Sequence, residues 1–212
     1  MIRTFILKAS EVHTSGDFRV KDLPSSSGRL DVVCRCLIAS LLCNLRIRTD
    51  TIFAAVMEGK PNPPLYVKFN GKELKELPFS EVGVAVKLKR VLSEHYEGYE
   101  SGKEYVVLSW EGVSIEKKSF SELIQSHLTK AELYYLHESG QDIRDIKFDF
   151  ERDSTFILGD QKGLSFEEEG MLDGLNVKRI SVGPVSYLSS QVIALAHDEL
   201  DRRGRETSLL NS

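Results

Sequence analysis

Cysteine is scarce in this chain: three residues in 212, all between positions 34 and 43. An odd, clustered set builds no disulfide framework and points to a reducing compartment. Cys34, Cys36 and Cys43 fall in one expected helix, where they read as packing thiols. The five histidines are scattered, so zinc-ligand spacing is missing as well. Long apolar runs are also lacking. Arg35 interrupts the best candidate, Val32–Leu45, short of the roughly 18 residues a membrane helix needs. The opening MIRTFILKAS has no small-residue cleavage site and reads as a strand, and a cytoplasmic protein is expected. Several motifs are absent too. No GxGxxG follows a strand, no GxxxxGK[ST] occurs, and neither GxSxG nor HExxH is found. Those absences remove the usual signals for dinucleotide binding, nucleotide hydrolysis, serine hydrolysis and metalloproteolysis.

What is present is ordinary globular composition, 41% hydrophobic and 28% charged, with an uneven charge distribution. Residues 1–90 carry 15 Lys/Arg against 9 Asp/Glu, whereas residues 91–212 carry 13 against 23. A basic half beside an acidic half permits an anionic partner such as RNA despite the net charge of −4.

Strand-like and helix-like segments alternate. Strands are expected at Ile2–Lys8, Thr51–Met57, Tyr105–Ser109, Val113–Lys117, Leu133–His137, Thr155–Leu158 and Val177–Ser181. Helices are expected near Leu30–Leu45, preceded by capping serines, and at Ser80–His95, Phe120–Leu128, Phe166–Leu172 and Ser189–Arg203. Leu65–Phe69 with Asn70-Gly71 predicts a hairpin, since Asn-Gly supplies the positive φ angles of a tight turn. Glu97–Lys103 predicts a surface loop, and Gly140 a polar loop. The alternation predicts one α/β domain over 1–203 with a largely parallel sheet, and a loose tail over 204–212.

In such sheets ligands bind beyond the carboxyl ends of strands. Three strands here lead into short loops of small or polar residues, after Leu136, after Leu158 and after Ser181. Gly159 and Gly163 permit close backbone approach, and Gly183-Pro184 fixes a bend. The same pattern also fits three plain turns. A second constellation is Gly28-Arg29-Leu30-Asp31, at a helix start that attracts phosphate, with Arg29 able to clamp it. Asp31 alone reads equally well as a first-turn acid. Arg46, Arg48, Lys60, Lys68, Lys72 and Lys75 extend this as a candidate basic track, with Pro61-Asn62-Pro63-Pro64 as a stiff connector.

Five segments in this order carry a resemblance: GRLDVVCRC at 28–36, GKPNPPLYVKFNGKELKEL at 59–77, YYLHESGQDI at 134–143, FILGDQKG at 156–163 and KRISVGPVSYLSSQVIALAHDELDR at 178–202. Together they resemble the archaeal tRNA (pseudouridine-N1)-methyltransferase family, TrmY, from Met1 to about Arg203. The resemblance implies a SPOUT-type fold with a C-terminal deep trefoil knot, and a homodimer. The implied activity is methylation of N1 of pseudouridine at tRNA position 54, in the TΨC loop, with S-adenosyl-L-methionine as donor. By position it implies cofactor contacts from Leu136, Gly159, Ile180, Ser181, Val182, Gly183, Pro184, Val185, Ser186 and Leu188. It places Arg29 and Asp31 on the target side, Asp31 to accept or orient the N1 proton. Gln161 and Lys162 depart from the histidine and apolar residue common in the family at those positions. Two alternatives remain open: a related SPOUT enzyme acting on ribosomal RNA, and a non-catalytic dimeric RNA-binding or ribosome-assembly module.

Overall fold

A computed structural model describes residues 1–94 and 103–210, with side chains through Gly204. Most of the expected surface loop at Glu97–Lys103 lies outside the described residues.

The chain enters on β1 (Arg3–Ala9), every residue of which is buried. A short α1 (Leu23–Ser26) leads into α2 (Leu30–Leu41). Leu30, Val33, Cys34, Leu37 and Leu41 recur at helical spacing and are fully buried, so α2 packs one apolar stripe on the sheet. Ser27 supplies the expected capping hydroxyl: its Oγ accepts the Leu30 N–H at 3.0 Å. The helix ends earlier than expected. Leu42 is extended, and β2 (Leu42–Cys43) and β3 (Arg46–Ile47) form a minimal hairpin. Its turn puts Asn44 and Leu45 at φ 46° and 61°, the left-handed pair that a two-residue hairpin demands. Cys43 is therefore exposed, and only Cys34 and Cys36 are packing thiols. Burial pushes both of their pKa values up, which makes them poor nucleophiles.

Next come β4 (Thr51–Met57), β5 (Leu65–Asn70), α3 (Glu81–Glu94), β6 (Glu104–Val106) and β7 (Val113–Glu116). The hairpin expected at Asn70-Gly71 is not one. Asn70 accepts from Glu73 and Leu74 in a local turn, and β5 pairs antiparallel with β4 and β7 instead. Then follow α4 (Phe120–His127), β8 (Glu132–Asp142), β9 (Ser154–Gly159), α5 (Phe166–Gly174), β10 (Lys178–Ser181) and α6 (Ser189–Leu210). Ser119 and Ser165 start α4 and α5 with reciprocal capping boxes to Glu122 and Glu168. Helix α6 continues past the expected end at Arg203; Gly204 is a weak stop without a following Pro or turn sequence.

One eight-stranded sheet runs β10-β8-β9-β1-β4-β5-β7-β6. From β10 to β4 all pairings are parallel, and beyond β4 they are antiparallel. Phe5, Leu7, Phe53 and Phe156 face the layer containing α2 and α6, whereas Ile6, Ala54 and Ile157 face α4 and α5. Phe5 stacks on Phe156 at 5.2 Å, and Phe156 on Tyr134 at 5.5 Å, tying three neighbouring strands.

Strand β8 is longer than the expected Leu133–His137, and Gly140 belongs to it rather than to a loop. Lys178 and Arg179 pair with Tyr134 and Tyr135, but Ile180 and Ser181 pair with Gln141 and Asp142. The segment between Tyr135 and Gln141 therefore bows outward at the register shift. At its end Gly140 lies against the Ile180 backbone, where a Cβ would sit 2.5 Å from Ile180 N. A side chain there would expel β10, so the close crossing requires glycine.

Candidate functional site: two adjoining clefts at the strand ends

Strand order reverses beside β1: β4 lies on one side and β9 on the other. Two clefts open beyond the carboxyl ends of these strands, at the position ligands favour in open α/β sheets.

The first cleft, about 200 Å³, is lined by Leu136, Gly159, Ile180, Ser181, Val182, Val185 and Ser186 among others. All seven are among the positions the sequence resemblance implied. Gly183 and Pro184 do not line it; they form the bend behind it, where Ser181 Oγ donates to Gly183 O at 2.8 Å. Leu188 lines the second cleft instead. Gly159 is required sterically, because a Cβ would lie 2.4 Å from the Gly163 backbone. The N–H groups of Val185, Ser186 and Tyr187 donate to no acceptor among the described residues. Unspent backbone donors beside apolar Ile180 and Val182 suit the edge and face of a purine, so the residues fit an adenosyl group.

The second cleft, about 300 Å³, is lined by Arg29, Val32, Arg35, Asp160, Gln161, Tyr187, Leu188, Ser189 and Ser190. Asp160, Tyr187 and Ser189 line both clefts and mark their junction. Ser189 Oγ donates to Gly159 O at 2.9 Å, fixing that boundary.

Arg29 holds φ 73° and ψ 35°, a left-handed conformation that costs an L-residue roughly 1–2 kcal/mol. The surrounding contacts repay it. Arg29 Nε and one terminal nitrogen each donate to Asp31 at 3.0 Å, and Arg35 donates to the same carboxylate at 2.8 Å. Arg35 also donates to Glu81 of α3 at 2.8 Å. The two guanidiniums are thereby held side by side at the second cleft, each about two-fifths exposed, at 39% and 38%. Asp31 itself is placed otherwise than its expected role requires. Its side chain is 2% exposed, lines neither cleft and already accepts three N–H bonds. Burial alone would push its carboxyl up, but the bonds from Arg29 and then Arg35 outweigh that and hold its pKa low. A carboxylate so engaged is a weak proton acceptor and a strong organiser of the two cations.

The basic track does not form. Because β5 runs antiparallel to β4, Lys72 and Lys75 lie at the opposite end of the sheet from the clefts, near Arg46 and Arg48. Arg48 is bound by Asp201 at 2.6 Å, Lys68 by Glu104 and Lys75 by Glu111. Of the six, only Lys60 follows a strand end on the cleft side. Lys117 Nζ pins the proline connector through Asn62 O at 2.7 Å and Pro63 O at 3.0 Å.

The sequence places Asp160 in a candidate ligand loop and Arg35 in the segment after Arg29, but it assigns no role to either of them or to Tyr187. Arg35 had a signal, since it follows Asp31 by one helical turn. Asp160 had one too, as the first residue beyond β9.

Residues 2–205 match the family profile described as "Putative SAM-dependent RNA methyltransferase". The chain is 36% identical over 203 residues to a Methanocaldococcus jannaschii protein, covering 95% of this chain and 98% of that one. It is 39% identical over 201 residues to a Thermococcus gammatolerans protein, covering 94% and 97%. Both relatives are named tRNA (pseudouridine(54)-N(1))-methyltransferase. The fold is similar to that of Archaeoglobus fulgidus Nep1 bound to S-adenosylhomocysteine, with TM-score 0.61 and 14% identity over 95% of this chain and 98% of that one. No helix among the described residues is long and apolar enough to cross a membrane. With nearly its whole length matched, the chain belongs to the family of SAM-dependent RNA methyltransferases.

Proposed function

We propose that this protein transfers the methyl group of S-adenosylmethionine to N1 of pseudouridine 54 in the TΨC loop of tRNA. The observation that carries this reading is the pair of clefts sharing Asp160, Tyr187 and Ser189: one suits an adenosyl group, and the other presents two arginines. Near-full-length identity to relatives named for that reaction supports it.

S-adenosylmethionine, held by Leu136, Gly159, Ile180–Val182 and Val185–Ser186, would supply an electrophilic methyl group. Pseudouridine offers N1 as a free ring nitrogen, so no cysteine adduct is needed to activate the base. The buried Cys34 and Cys36, pushed away from thiolate, agree with that. Arg29 and Arg35 would take a phosphate or a base carbonyl, and Asp31 would act through them by fixing their direction. Catalysis then rests chiefly on alignment across the junction. A base in a folded tRNA loop is stacked and has to be splayed out to reach the second cleft.

The crossing of β10 at Gly140 supports a threaded C-terminal segment, and we read it as the trefoil knot implied by the resemblance. Ile38 and Ala39 of α2 and Ala194 of α6 line one open groove, which we assign to a second copy of the chain. Light scattering tests that assignment, with a single dimeric mass expected. Titration with S-adenosylhomocysteine separates the methyltransferase reading from a non-catalytic RNA-binding module, which would bind RNA but release no heat with this ligand. Comparing pseudouridylated tRNA with ribosomal RNA as acceptor separates position 54 from a ribosomal target.

A further inference from the structure

We infer that Asp160 is the group that receives the N1 proton during methyl transfer. The inference deepens the proposed reaction and rests on that reading.

Asp160 lies at the topological switch point, immediately beyond β9 and beside the end of β1. Its backbone N–H donates to Lys8 O at 3.0 Å. Its Oδ2 accepts the Ser10 N–H at 2.7 Å and its Oδ1 accepts the Lys162 N–H at 2.8 Å. Each oxygen thus takes one neutral backbone donor and keeps a lone pair free. No Arg or Lys lies within ion-pair distance of it among the described residues, unlike Asp31 with its two guanidiniums. It is 7% exposed, so the structure and not the solvent sets its direction. Most telling is its position. Asp160 is the carboxylate lining both clefts, whereas Glu138 lines only the first and is engaged by the Ser186 hydroxyl. A proton acceptor for the attacking atom has to stand where donor and acceptor sites meet.

The step balances without another reagent. The N1 electron pair forms a bond to the methyl carbon as the carbon–sulfur bond breaks, its pair returning to sulfur. The N1 proton passes to an Asp160 oxygen, leaving neutral S-adenosylhomocysteine, and later leaves to solvent. Charged and titratable groups around Asp160 are Arg29 just before α2, Arg35 and Cys36 within it, Glu11 after β1, Lys162 beside it and Tyr187 at the junction.

The test is single-turnover methylation by wild type and Asp160→Asn on tRNA carrying pseudouridine 54. The expected result is a rate loss of about 100-fold or more with unchanged binding of S-adenosylhomocysteine. The residual rate should rise about tenfold per pH unit in alkali as hydroxide takes over the proton. A variant that keeps the wild-type rate, or one that loses cofactor affinity and not rate, overturns the assignment. If Asp160→Asn does not fold, Asp160→Glu decides: a rate loss of at least about tenfold with unchanged binding of S-adenosylhomocysteine is expected, and the wild-type rate overturns the proposal. Wild type that transfers no methyl to this tRNA would defeat the functional reading itself, which is a distinguishable failure.

Discussion

Replacing Asp31 by Asn separates an organising carboxylate from a catalytic base. In the native protein this side chain, 2% exposed, accepts N–H bonds of 3.0, 3.0 and 2.8 Å from Arg29 and Arg35. Asparagine is isosteric but presents one amide nitrogen where an oxygen stood. Its best orientation loses one bond and keeps two, each now from a guanidinium to a neutral oxygen. A charge-assisted bond is worth about 1.5–3 kcal/mol, so losing one and weakening two gives a gross loss of about 4 kcal/mol. Both guanidiniums are about two-fifths exposed and regain water, and the cost of burying a charge disappears. We expect a net loss of about 2–3 kcal/mol, or roughly 5–10 °C in Tm for a chain of this size. Urea unfolding at neutral pH measures it, with calorimetry of S-adenosylhomocysteine and single-turnover methylation on the same sample. The folded pKa of Asp31 is depressed, so its contribution is complete above the unfolded carboxylate value and fades as pH falls through the folded value. The gap between wild type and variant should therefore narrow in acid. A variant as stable as wild type that loses only turnover would refute the reasoning and restore Asp31 as the base.

His197 gives a second pH dependence. Burial, then Arg48 and Arg3, lower its pKa to about 4, so the unfolded chain binds a proton the native protein refuses between about pH 6.5 and 4. Stability should fall by about 2 kcal/mol from neutral pH to about pH 5, and His197→Gln should remove that slope in urea titrations. Gly159→Ala puts a Cβ 2.4 Å from Gly163 and should weaken S-adenosylhomocysteine binding at least about tenfold by calorimetry. Cys36→Ser, at a fully buried site, should cost about 1–2 kcal/mol in urea and leave the methylation rate intact; a large rate loss in folded protein would contradict a mechanism without a thiol. Filter binding of tRNA should weaken steeply with salt, and Arg35→Ala should flatten that slope.

Much of the fold was legible because single helical stripes and buried strands each carry their own periodicity. Leu30 to Leu41 and Phe5 to Lys8 read correctly for that reason. What failed was long-range. The end of α2 depended on a turn at Asn44-Leu45, where leucine gives no sequence signal for positive φ. Gly140 resembles a loop glycine until β10 is laid against it, and the charge of Lys72 and Lys75 says nothing about which end of the sheet they occupy. The first cleft was legible because its walls are backbone and small residues in contiguous segments. The roles at the second were not. Only packing decides that Asp31 is enclosed by two arginines and that Asp160 faces both clefts.

The most direct test of the central claim is nucleoside mass spectrometry of one tRNA in two forms, with pseudouridine or uridine at position 54, after incubation with the protein and S-adenosylmethionine. N1-methylpseudouridine at position 54 in the first form and no methylated base at that position in the second is the expected result. Methylation of the uridine form there, or of neither, would contradict that claim.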